Sequence, residues 1–313
     1  MRNKLKINPV ECLSPDGLVI FLFHGVIDEH KWKVRNYNNK HLEKDVFINM
    51  LKDLKGYTKA VPMSIDEVIC YCNNKIEFPP FTYAITFDDG FENNYTIAAP
   101  ILVDFNLPAT FYITTDFIDN DEMSWTDQLE EAFERTEKKE LKLLWDVNFD
   151  IDTVDKKILA LEELRGMIKG HRWPLGINKA TEMALGGLFG DSILGYIPYR
   201  DKQLDNKMNW SQVKELNSNT LFTIGGHTVT HSILSREDEE GLKFEIGDGC
   251  IEYINMKLNQ KTIHFSYPEG LKEHYNDKAI TVLKGAGIKC CPTAISGVNI
   301  NEDLFNLKRI MVI

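Results

Sequence analysis

The sequence has 313 residues, 43% of them hydrophobic and 27% charged, with a formal net charge of -11 at pH 7. This length is enough to bury a large core, either as one barrel-type domain or as two smaller units. The negative charge argues against non-specific binding to nucleic acid or to an anionic membrane surface, and no stretch of the sequence is apolar enough to span a bilayer.

The first part of the chain alternates between predicted strands and predicted helices. The first strand, Leu18–Phe23, ends in His24-Gly25. This apolar run is too short and begins too late for a signal peptide, so we expect a cytoplasmic protein. The elements that follow are a helix at Val46–Leu54, a strand at Ala60–Met63, a helix opened by the capping-box residues Ser64 and Glu67, a strand at Phe81–Phe87, a helix at Asn93–Phe105 and a strand at Ala109–Thr114. Such alternation is typical of a mainly parallel sheet or barrel.

The middle of the chain, from about 121 to 205, has a different character. Charged, helix-favouring residues dominate at Leu129–Leu144 and Asp155–Lys169, which predicts a helical insertion rather than an independent domain. We expect this insertion to cap the mouth of the barrel, because it lies between strands whose carboxyl ends carry polar side chains. The alternation then resumes with helices at Trp210–Leu216, Glu237–Leu258 and Asp277–Gly285, and with strands at Leu221–Gly226, Ile263–Tyr267, Ile288–Thr293 and Leu307–Ile313.

Two adjacent carboxylates, Asp88 and Asp89, follow the apolar central strand and precede Gly90. Side by side at the end of a buried strand, they repel each other and lose hydration unless a cation or a shared proton compensates. The glycine allows the sharp turn that lets both carboxylates face one cavity. One interpretation is an ordinary Asp-Gly turn, and the other is a metal ligand beside a general base.

The ends of other predicted strands carry the side chains that a metal hydrolase needs. His24 follows the first strand, His227 and His231 follow Leu221–Gly226, and Pro268 and Glu269 follow Ile263–Tyr267. Parallel barrels carry their functional residues at these carboxyl ends. On a helical turn, two histidines four residues apart project from one face towards one ion, and with one carboxylate they leave a position open for water. A surface helix can also carry such a pair by chance, and His24 alone could be an ordinary buried histidine.

Three of these motifs resemble a known family. Thr86-Phe-Asp-Asp-Gly90 and His227-Thr-Val-Thr-His231 resemble the first and second motifs of the polysaccharide deacetylase family, the NodB-homology carbohydrate esterases, and Tyr267-Pro-Glu-Gly270 is similar to the third. The resemblance covers roughly residues 15–120 and 205–313 and leaves out the insertion. It implies an α/β fold, an irregular (β/α) barrel usually of seven strands, in a single domain over residues 1–313. It also implies a hydrolase that removes acetyl groups from N-acetylated sugars.

The resemblance implies a role for each matching residue. Asp89, His227 and His231 would bind one divalent metal ion, and Asp88 would be the catalytic base. The backbone N–H of Glu269 would hold the oxyanion, with Tyr267 and Pro268 in the same substrate-binding motif. Imidazole ligands favour zinc-like ions, so we expect zinc, with cobalt, nickel or manganese as other candidates. The six cysteines follow no zinc-ribbon spacing and indicate no disulfide framework.

The chain departs from the family pattern at two points. The third motif usually provides an arginine that pairs with the base, but the matching place here is Ser266 or a neighbour, and no arginine is near it in the sequence. The catalytic-acid histidine usually follows the last strands, yet no histidine lies beyond His274. In the circularly permuted members, which deacetylate poly-N-acetylglucosamine, that histidine follows the first strand. Phe23-His24-Gly25 resembles that arrangement, which implies His24 as the catalytic acid.

The expected function is metal-dependent N-deacetylation of an N-acetylated sugar or glycan precursor in cell-surface polysaccharide biosynthesis. Since no signal peptide is visible and the insertion would narrow an open groove, we expect a small nucleotide-linked or lipid-linked substrate rather than a long polymer. One alternative is another metal-dependent amide hydrolase on the same fold. A second is a catalytically inactive carbohydrate-binding relative, which the missing arginine favours and the presence of the other site residues opposes. Phosphoryl transfer with magnesium is a weaker interpretation, because imidazole is a poor magnesium ligand.

Overall fold

The computed structural model describes residues 8–143, 147–169, 176–189, 198–301 and 303–313. The chain divides into two compact units. The larger unit contains Met1–Asp28, Lys40–Glu122 and Lys207–Ile313, and the smaller unit contains Glu29–Asn39 and Met123–Asn206. The residues of the predicted insertion therefore fall mainly in the smaller unit, which also takes in a short segment from the first part of the chain.

The larger unit is built around a parallel sheet. Its strands are β1 (Val19–Phe23), β2 (Gly25–Ile27), β3 (His41–Glu43), β4 (Val61–Pro62), β5 (Thr82–Phe87), β6 (Ala109–Ile113), β9 (Phe222–Gly226) and β10 (Ile310–Met311). Among the described residues, the main sheet runs in the order β10-β1-β5-β6-β9, with β4 paired to the first residues of β5, and β2 pairs with β3 separately. All these pairs are parallel, as the alternation of strands and helices predicts.

Beyond β9, the sheet continues through segments that make isolated bridges instead of regular strands. The main-chain N–H of Ser266 donates to the carbonyl oxygen of Gly226 at 2.9 Å, and the N–H of Phe265 donates to the carbonyl oxygen of Cys290 at 3.1 Å. The segments 263–267 and 288–295, which we call the irregular side of the barrel, thus follow β9 in space. The prediction of regular strands at Ile263–Tyr267 and Ile288–Thr293 is therefore wrong. Hydrophobicity alone does not distinguish an isolated bridge from a regular strand.

The same hydrogen bonding closes the circle of strands. The N–H of Thr293 donates to the carbonyl oxygen of Leu307 at 2.8 Å, and the N–H of Val312 donates to the carbonyl oxygen of Leu22 in β1 at 2.9 Å. Together with the pairing of β10 and β1, these contacts return the sheet to its first strand. The arrangement agrees with the predicted irregular barrel.

Helices connect the strands of the larger unit. They are Pro9–Cys12, Lys44–Gly56, Ile65–Asn73, Asn94–Ala98 with Ala99–Phe105, Thr115–Asn120, Trp210–Ser218, Leu234–Arg236, Glu239–Leu242 with Lys243–Ile251 and Glu252–Leu258, Lys272–His274, and Asp277–Gly285. Two of these segments, Asn94–Ala98 and Lys243–Ile251, are π-helical. The capping box predicted at Ser64 is present, because its hydroxyl accepts from the N–H of Glu67 while the Glu67 carboxylate accepts from the N–H of Ser64.

Strand register sets the level at which the functional side chains emerge. Phe23 of β1 pairs with Phe87 of β5, and Phe87 pairs with Phe111 of β6. The three rings stack in sequence, with ring centroids 5.2 Å and 5.1 Å apart. Each such aromatic pair contributes about 0.5–1.5 kcal/mol beyond its burial. Strands β1 and β5 both end at this aromatic layer. The residues that follow them, His24 and Asp88, therefore leave the sheet at the same level.

The described part of the smaller unit contains helices and a pair of antiparallel strands. Its elements are the helices Trp125–Arg135, Val154–Lys169, Gly176–Phe189 and Lys202–Asp205, and the paired strands β7 (Glu140–Lys142) and β8 (Asn148–Asp150). The helix predicted over Leu129–Leu144 is therefore wrong beyond Arg135. Glu140, Leu141 and Lys142 alternate between exposed and buried, the period of a strand, and the buried Leu141 packs into the core of this unit. None of the helices in the described ranges has the length and hydropathy needed to cross a membrane.

Candidate active site and metal centre

The two aspartates lie where β5 ends, at the carboxyl edge of the parallel sheet. Asp88 and Asp89 are both buried, with 3% and 4% of their surface exposed. Asp89 and Gly90 have positive φ angles of 76° and 79°, which make the sharp turn expected at this point. A Cβ atom on Gly90 would lie 3.0 Å from Ile118 Cδ1, so the turn has little room for a side chain.

Asp89, His227 and His231 form a group that could hold a metal ion. Asp89 Oδ1 lies 3.5 Å from His227 Nε2 and 3.4 Å from His231 Nε2. Tetrahedral zinc ligands at about 2.0–2.1 Å from the metal are separated by about 3.3 Å, so this spacing fits one ion. Asp89 Oδ1 is buried and accepts no hydrogen bond from the described residues. An ion between the three atoms would supply the charge compensation that this oxygen needs.

Hydrogen bonding determines which nitrogen of His227 faces Asp89. Its Nδ1 lies 2.8 Å from the carbonyl oxygen of Ser266, which can only accept, so Nδ1 carries the proton. The other nitrogen, Nε2, then has a free lone pair directed towards Asp89. This arrangement, in which the outer ring nitrogen donates to a carbonyl, is common among metal-bound histidines.

The two histidines come together on a loop rather than on a helical turn. Residues 227–231, which we call the histidine loop, follow β9 without regular structure. Thr228 and His231 have positive φ angles of 67° and 61°, which an α-helix does not allow. The helical turn predicted from the four-residue spacing is therefore wrong, although the loop brings the two rings to a centroid distance of 5.0 Å.

Arg309 pairs with Asp88 and provides the arginine that no motif near Ser266 in the sequence contains. Its Nη1 donates to Asp88 Oδ1 at 2.8 Å, and its Nη2 donates to Asp88 Oδ2 at 2.7 Å. Nη2 also donates to Ser266 Oγ at 2.8 Å, so the guanidinium contacts the place where the family motif usually has its arginine. The sequence feature that could have indicated this role is the position of Arg309 inside the otherwise apolar strand candidate Leu307–Ile313. The interpretation that no arginine serves Asp88 is wrong, because that interpretation considered neighbours in sequence only.

Opposing effects act on the two carboxyl groups. Burial raises the pKa of Asp88, but the charge of Arg309, the nearby His227 and the hydrogen bonds of Arg309 together lower that pKa below its ordinary value. Burial likewise raises the pKa of Asp89, while the charge of Lys40 and the close imidazoles of His227 and His231 hold it well below the ordinary range. Both carboxyl groups are therefore ionised at neutral pH. The Nζ atom of Lys40 lies 3.0 Å from Asp89 Oδ2, on the oxygen that does not face the histidines.

His24 lies at the end of β1, near both carboxylates. Burial lowers its pKa to about 4, against the opposing effect of the charge on Asp89. The imidazole is therefore neutral at pH 7 in the metal-free site. Its Nδ1 is buried and has no hydrogen-bond partner among the described residues, while the side chain of Asn94 fixes its main chain by donating to the His24 carbonyl oxygen at 2.8 Å.

The Tyr267-Pro268-Glu269 motif lies on the irregular side of the barrel. Tyr267 is 1% exposed, stacks on Tyr275 and donates its hydroxyl to the carbonyl oxygen of Phe305, so its side chain packs in the core. Glu269 is partly exposed and has a φ angle of 60°. Burial lowers the pKa of His231, but the charges of Asp89 and, to a smaller extent, Glu269 raise it above its ordinary value. The roles of the Glu269 N–H, Tyr267 and Pro268 in oxyanion and substrate binding stay predictions.

Comparison with known proteins gives one family and several similar folds. The family described as "Polysaccharide deacetylase" matches residues 75–151 and 179–291, a range that includes the aspartate pair and the histidine loop but neither His24 nor Arg309. No curated protein sequence matches the chain.

Three solved structures illustrate the likeness of fold. The Streptococcus pyogenes deacetylase PplD, in complex with acetate, is 18% identical with a TM-score of 0.58, covering 96% of this chain and 93% of that one. IcaB from Ammonifex degensii is 17% identical with a TM-score of 0.57, covering 96% and 94%. A de-N-acetylase from Aggregatibacter actinomycetemcomitans is 15% identical with a TM-score of 0.57, covering 94% of each chain. These similarities confirm the α/β barrel-like fold.

Proposed function

This chain belongs to the polysaccharide deacetylase family and is a hydrolase of N-acetyl amide bonds, and from that premise we propose that it is a metal-dependent N-deacetylase of an N-acetylated sugar or glycan precursor. The observation that carries the metal dependence is the group of Asp89 Oδ1, His227 Nε2 and His231 Nε2 around one point. The neighbouring Asp88, ionised and held by Arg309, supplies a base beside that point.

The proposed chemistry divides between the ion and the side chains. An ion of the zinc class, when bound, acidifies water and polarises the carbonyl of the acetyl group. Asp88 accepts the proton of the attacking water, for which its carboxylate keeps lone pairs beyond those used by Arg309. His24 donates a proton to the sugar nitrogen as the amide bond breaks. Since His24 is neutral in the metal-free site, it must take up a proton before it donates one. The proton that Asp88 accepts from the water is available for this transfer, and the negative charge developing on the substrate favours the protonated form of His24.

We propose zinc as the resident ion and a small nucleotide-linked or lipid-linked N-acetylhexosamine as the substrate, used in the cytoplasm for cell-surface glycan synthesis. The donor set of two imidazoles and one carboxylate supports zinc over magnesium. The substrate and its location rest on the sequence expectations alone, namely a capping insertion and a short first apolar run. The motive for an inactive carbohydrate-binding relative was the missing arginine, and Arg309 removes it.

Acetate release is the test of the proposed function. Metal-loaded protein should release acetate from a panel of small N-acetylhexosamine donors, and a chelator should abolish the release. Turnover of long N-acetylglucosamine polymers with none of the small donors would overturn the proposed substrate class but leave the activity in place. Absence of acetate release from every member of the panel, in protein carrying a full equivalent of metal, would contradict the proposed function itself.

A further inference from the structure

A buried carboxylate, Glu245, contacts the main chain between the two histidines. Its side chain lies in the π-helical segment Lys243–Ile251, and the residue is 6% exposed. Glu245 Oε2 accepts from the N–H of Val229 at 2.9 Å and from the N–H of Thr230 at 3.0 Å. Its other oxygen, Oε1, accepts from the hydroxyl of Thr230 at 2.7 Å. One carboxylate therefore takes three hydrogen bonds from the histidine loop.

The opposite side of the loop is held by its carbonyl groups. The helix Thr115–Asn120 provides the donors. At its start, the N–H of Thr115 donates to the carbonyl oxygen of Thr228 at 3.2 Å, and the N–H of Asp116 donates to the carbonyl oxygen of Val229 at 3.0 Å. The loop is thus held by donors on one side and by the Glu245 carboxylate on the other. These contacts all fall between His227 and His231, on the residues that determine how the two rings face each other.

The loop needs such support because its conformation is unfavourable. Thr228 and His231 both have positive φ angles, and neither is a glycine. A β-branched threonine in this region is a clear exception, which persists only where surrounding contacts fix it. Backbone N–H groups buried without an acceptor would add a further cost. Hydrogen bonds to an ionised carboxylate are among the strongest that a side chain can offer.

We propose that Glu245 is a positioning residue for the metal centre, which holds the histidine loop so that the Nε2 atoms of His227 and His231 face the same point as Asp89 Oδ1. This inference rests on the metal site of the proposed function. Glu245 is not a metal ligand, because its oxygens are engaged with the main chain and hydroxyl of the loop. The geometry that it maintains is needed before any ion binds, and supporting groups of this kind change metal affinity by about 10–100-fold.

Substitutions of Glu245 separate positioning from charge. Glu245→Gln keeps a side-chain oxygen that can accept from both backbone N–H groups, so metal affinity should stay within about threefold of native. Glu245→Asp keeps the charge but is one methylene too short to reach the loop, and Glu245→Ala removes the acceptor. Both should weaken metal binding by about 10–100-fold. Glu237→Ala is the matched control, because Glu237 accepts from the hydroxyl of Ser232, just beyond the loop, and should bind metal as the native protein does.

The readouts are the zinc dissociation constant from competition with a chelator, the visible absorption spectrum of the Co²⁺-substituted protein, and the melting temperature of the metal-free protein. We expect zinc affinity to decrease in the order native protein, Glu245→Gln, Glu245→Asp, Glu245→Ala. The Co²⁺ spectrum should be altered in Glu245→Asp and Glu245→Ala. Native affinity and spectrum in Glu245→Asp, with weakened binding in Glu245→Gln, would show that charge matters rather than reach and would overturn the proposal. If Glu245→Ala does not fold, the Gln and Asp variants still decide. A native protein that binds no metal would contradict the proposed function instead.

Discussion

Replacing Arg309 with methionine would leave Asp88 buried without its partner. Arg309 is 1% exposed, and its guanidinium contacts both oxygens of Asp88, which is 3% exposed. Methionine keeps much of the aliphatic volume but none of the charge or hydrogen bonds. Breaking a buried ion pair by removing one partner costs about 3–5 kcal/mol, because the remaining charge is no longer compensated. At about 2 °C per kcal/mol for a chain of this size, the melting temperature should fall by about 6–10 °C.

The loss should depend on pH in a definite direction. In the native protein, the folded-state pKa of Asp88 lies below its ordinary value, so its stabilising contribution is present above the ordinary value, about 3.9, and disappears as the pH falls through the folded-state pKa. Without Arg309, burial dominates and the folded-state pKa lies above the ordinary value. The variant then gains stability below about pH 3.9 and loses it as the pH rises through its raised pKa. The difference between native and variant should therefore be larger at pH 7 than at pH 4.

The assay is urea unfolding of chelator-treated protein at pH 4 and pH 7, with two companion variants. Asp88→Asn combined with Arg309→Met removes both charges and should recover part of the lost stability. Arg35→Met is the matched control, because Arg35 forms a similar buried pair with Asp205 within the smaller unit. The Arg35→Met substitution should lower the free energy of unfolding but leave the acetate released per folded molecule unchanged. A variant as stable as the native protein at pH 7, or a double variant no more stable than Arg309→Met, would refute the reasoning.

Three further predictions concern the candidate site. His227→Ala should lose the bound metal, as measured by elemental analysis of protein purified without added metal, and a full equivalent of metal in this variant would mean that the site is misplaced. Asp88→Asn and His24→Ala should each keep the metal and lose turnover by about 10²–10⁴-fold in single-turnover acetate release, whereas a native rate in His24→Ala would leave the proposed reaction without its acid. Lys40→Met removes the cation from Asp89 Oδ2, so the metal-free protein should lose about 1–3 kcal/mol of stability and its melting temperature should rise more on adding zinc than that of the native protein. An equal rise in both proteins would argue against charge compensation by Lys40.

Residues at the ends of strands were the most predictable part of this molecule. The apolar strand before Asp88 and the apolar run before His24 are continuous and end abruptly, which the sequence shows directly, and the parallel sheet then places their ends at one edge. The histidine pair was predicted correctly as a pair at a strand end but wrongly as a helical turn. The four-residue spacing of the pair fits a helix, and the local sequence does not predict that Thr228 and His231 adopt positive φ angles.

The partners of the site residues were not predictable in the same way. Arg309 is 221 positions from Asp88 in the sequence, and Lys40 and Glu245 lie outside any motif. Each of them acts through a tertiary contact that the local sequence does not show. The helix predicted beyond Arg135 failed for another reason, since charged residues that favour helices also suit an exposed hairpin when a buried leucine alternates with them.

The guanidinium of Arg309 also contacts parts of the barrel that regular strand pairing does not join. Besides Asp88 and Ser266, it donates through Nε to the carbonyl oxygen of Thr293 at 2.6 Å and through Nη1 to Thr86 Oγ1 at 3.3 Å. One side chain from the segment leading into β10 thus spans β5 and both segments of the irregular side. A local opening of this side would withdraw the guanidinium, and the pKa of Asp88 would then rise because of burial. The basicity of Asp88 is thereby coupled to closure of the barrel. Conditions that speed hydrogen exchange at the N–H groups of Phe265 and Thr293 should therefore also raise the pKa of Asp88.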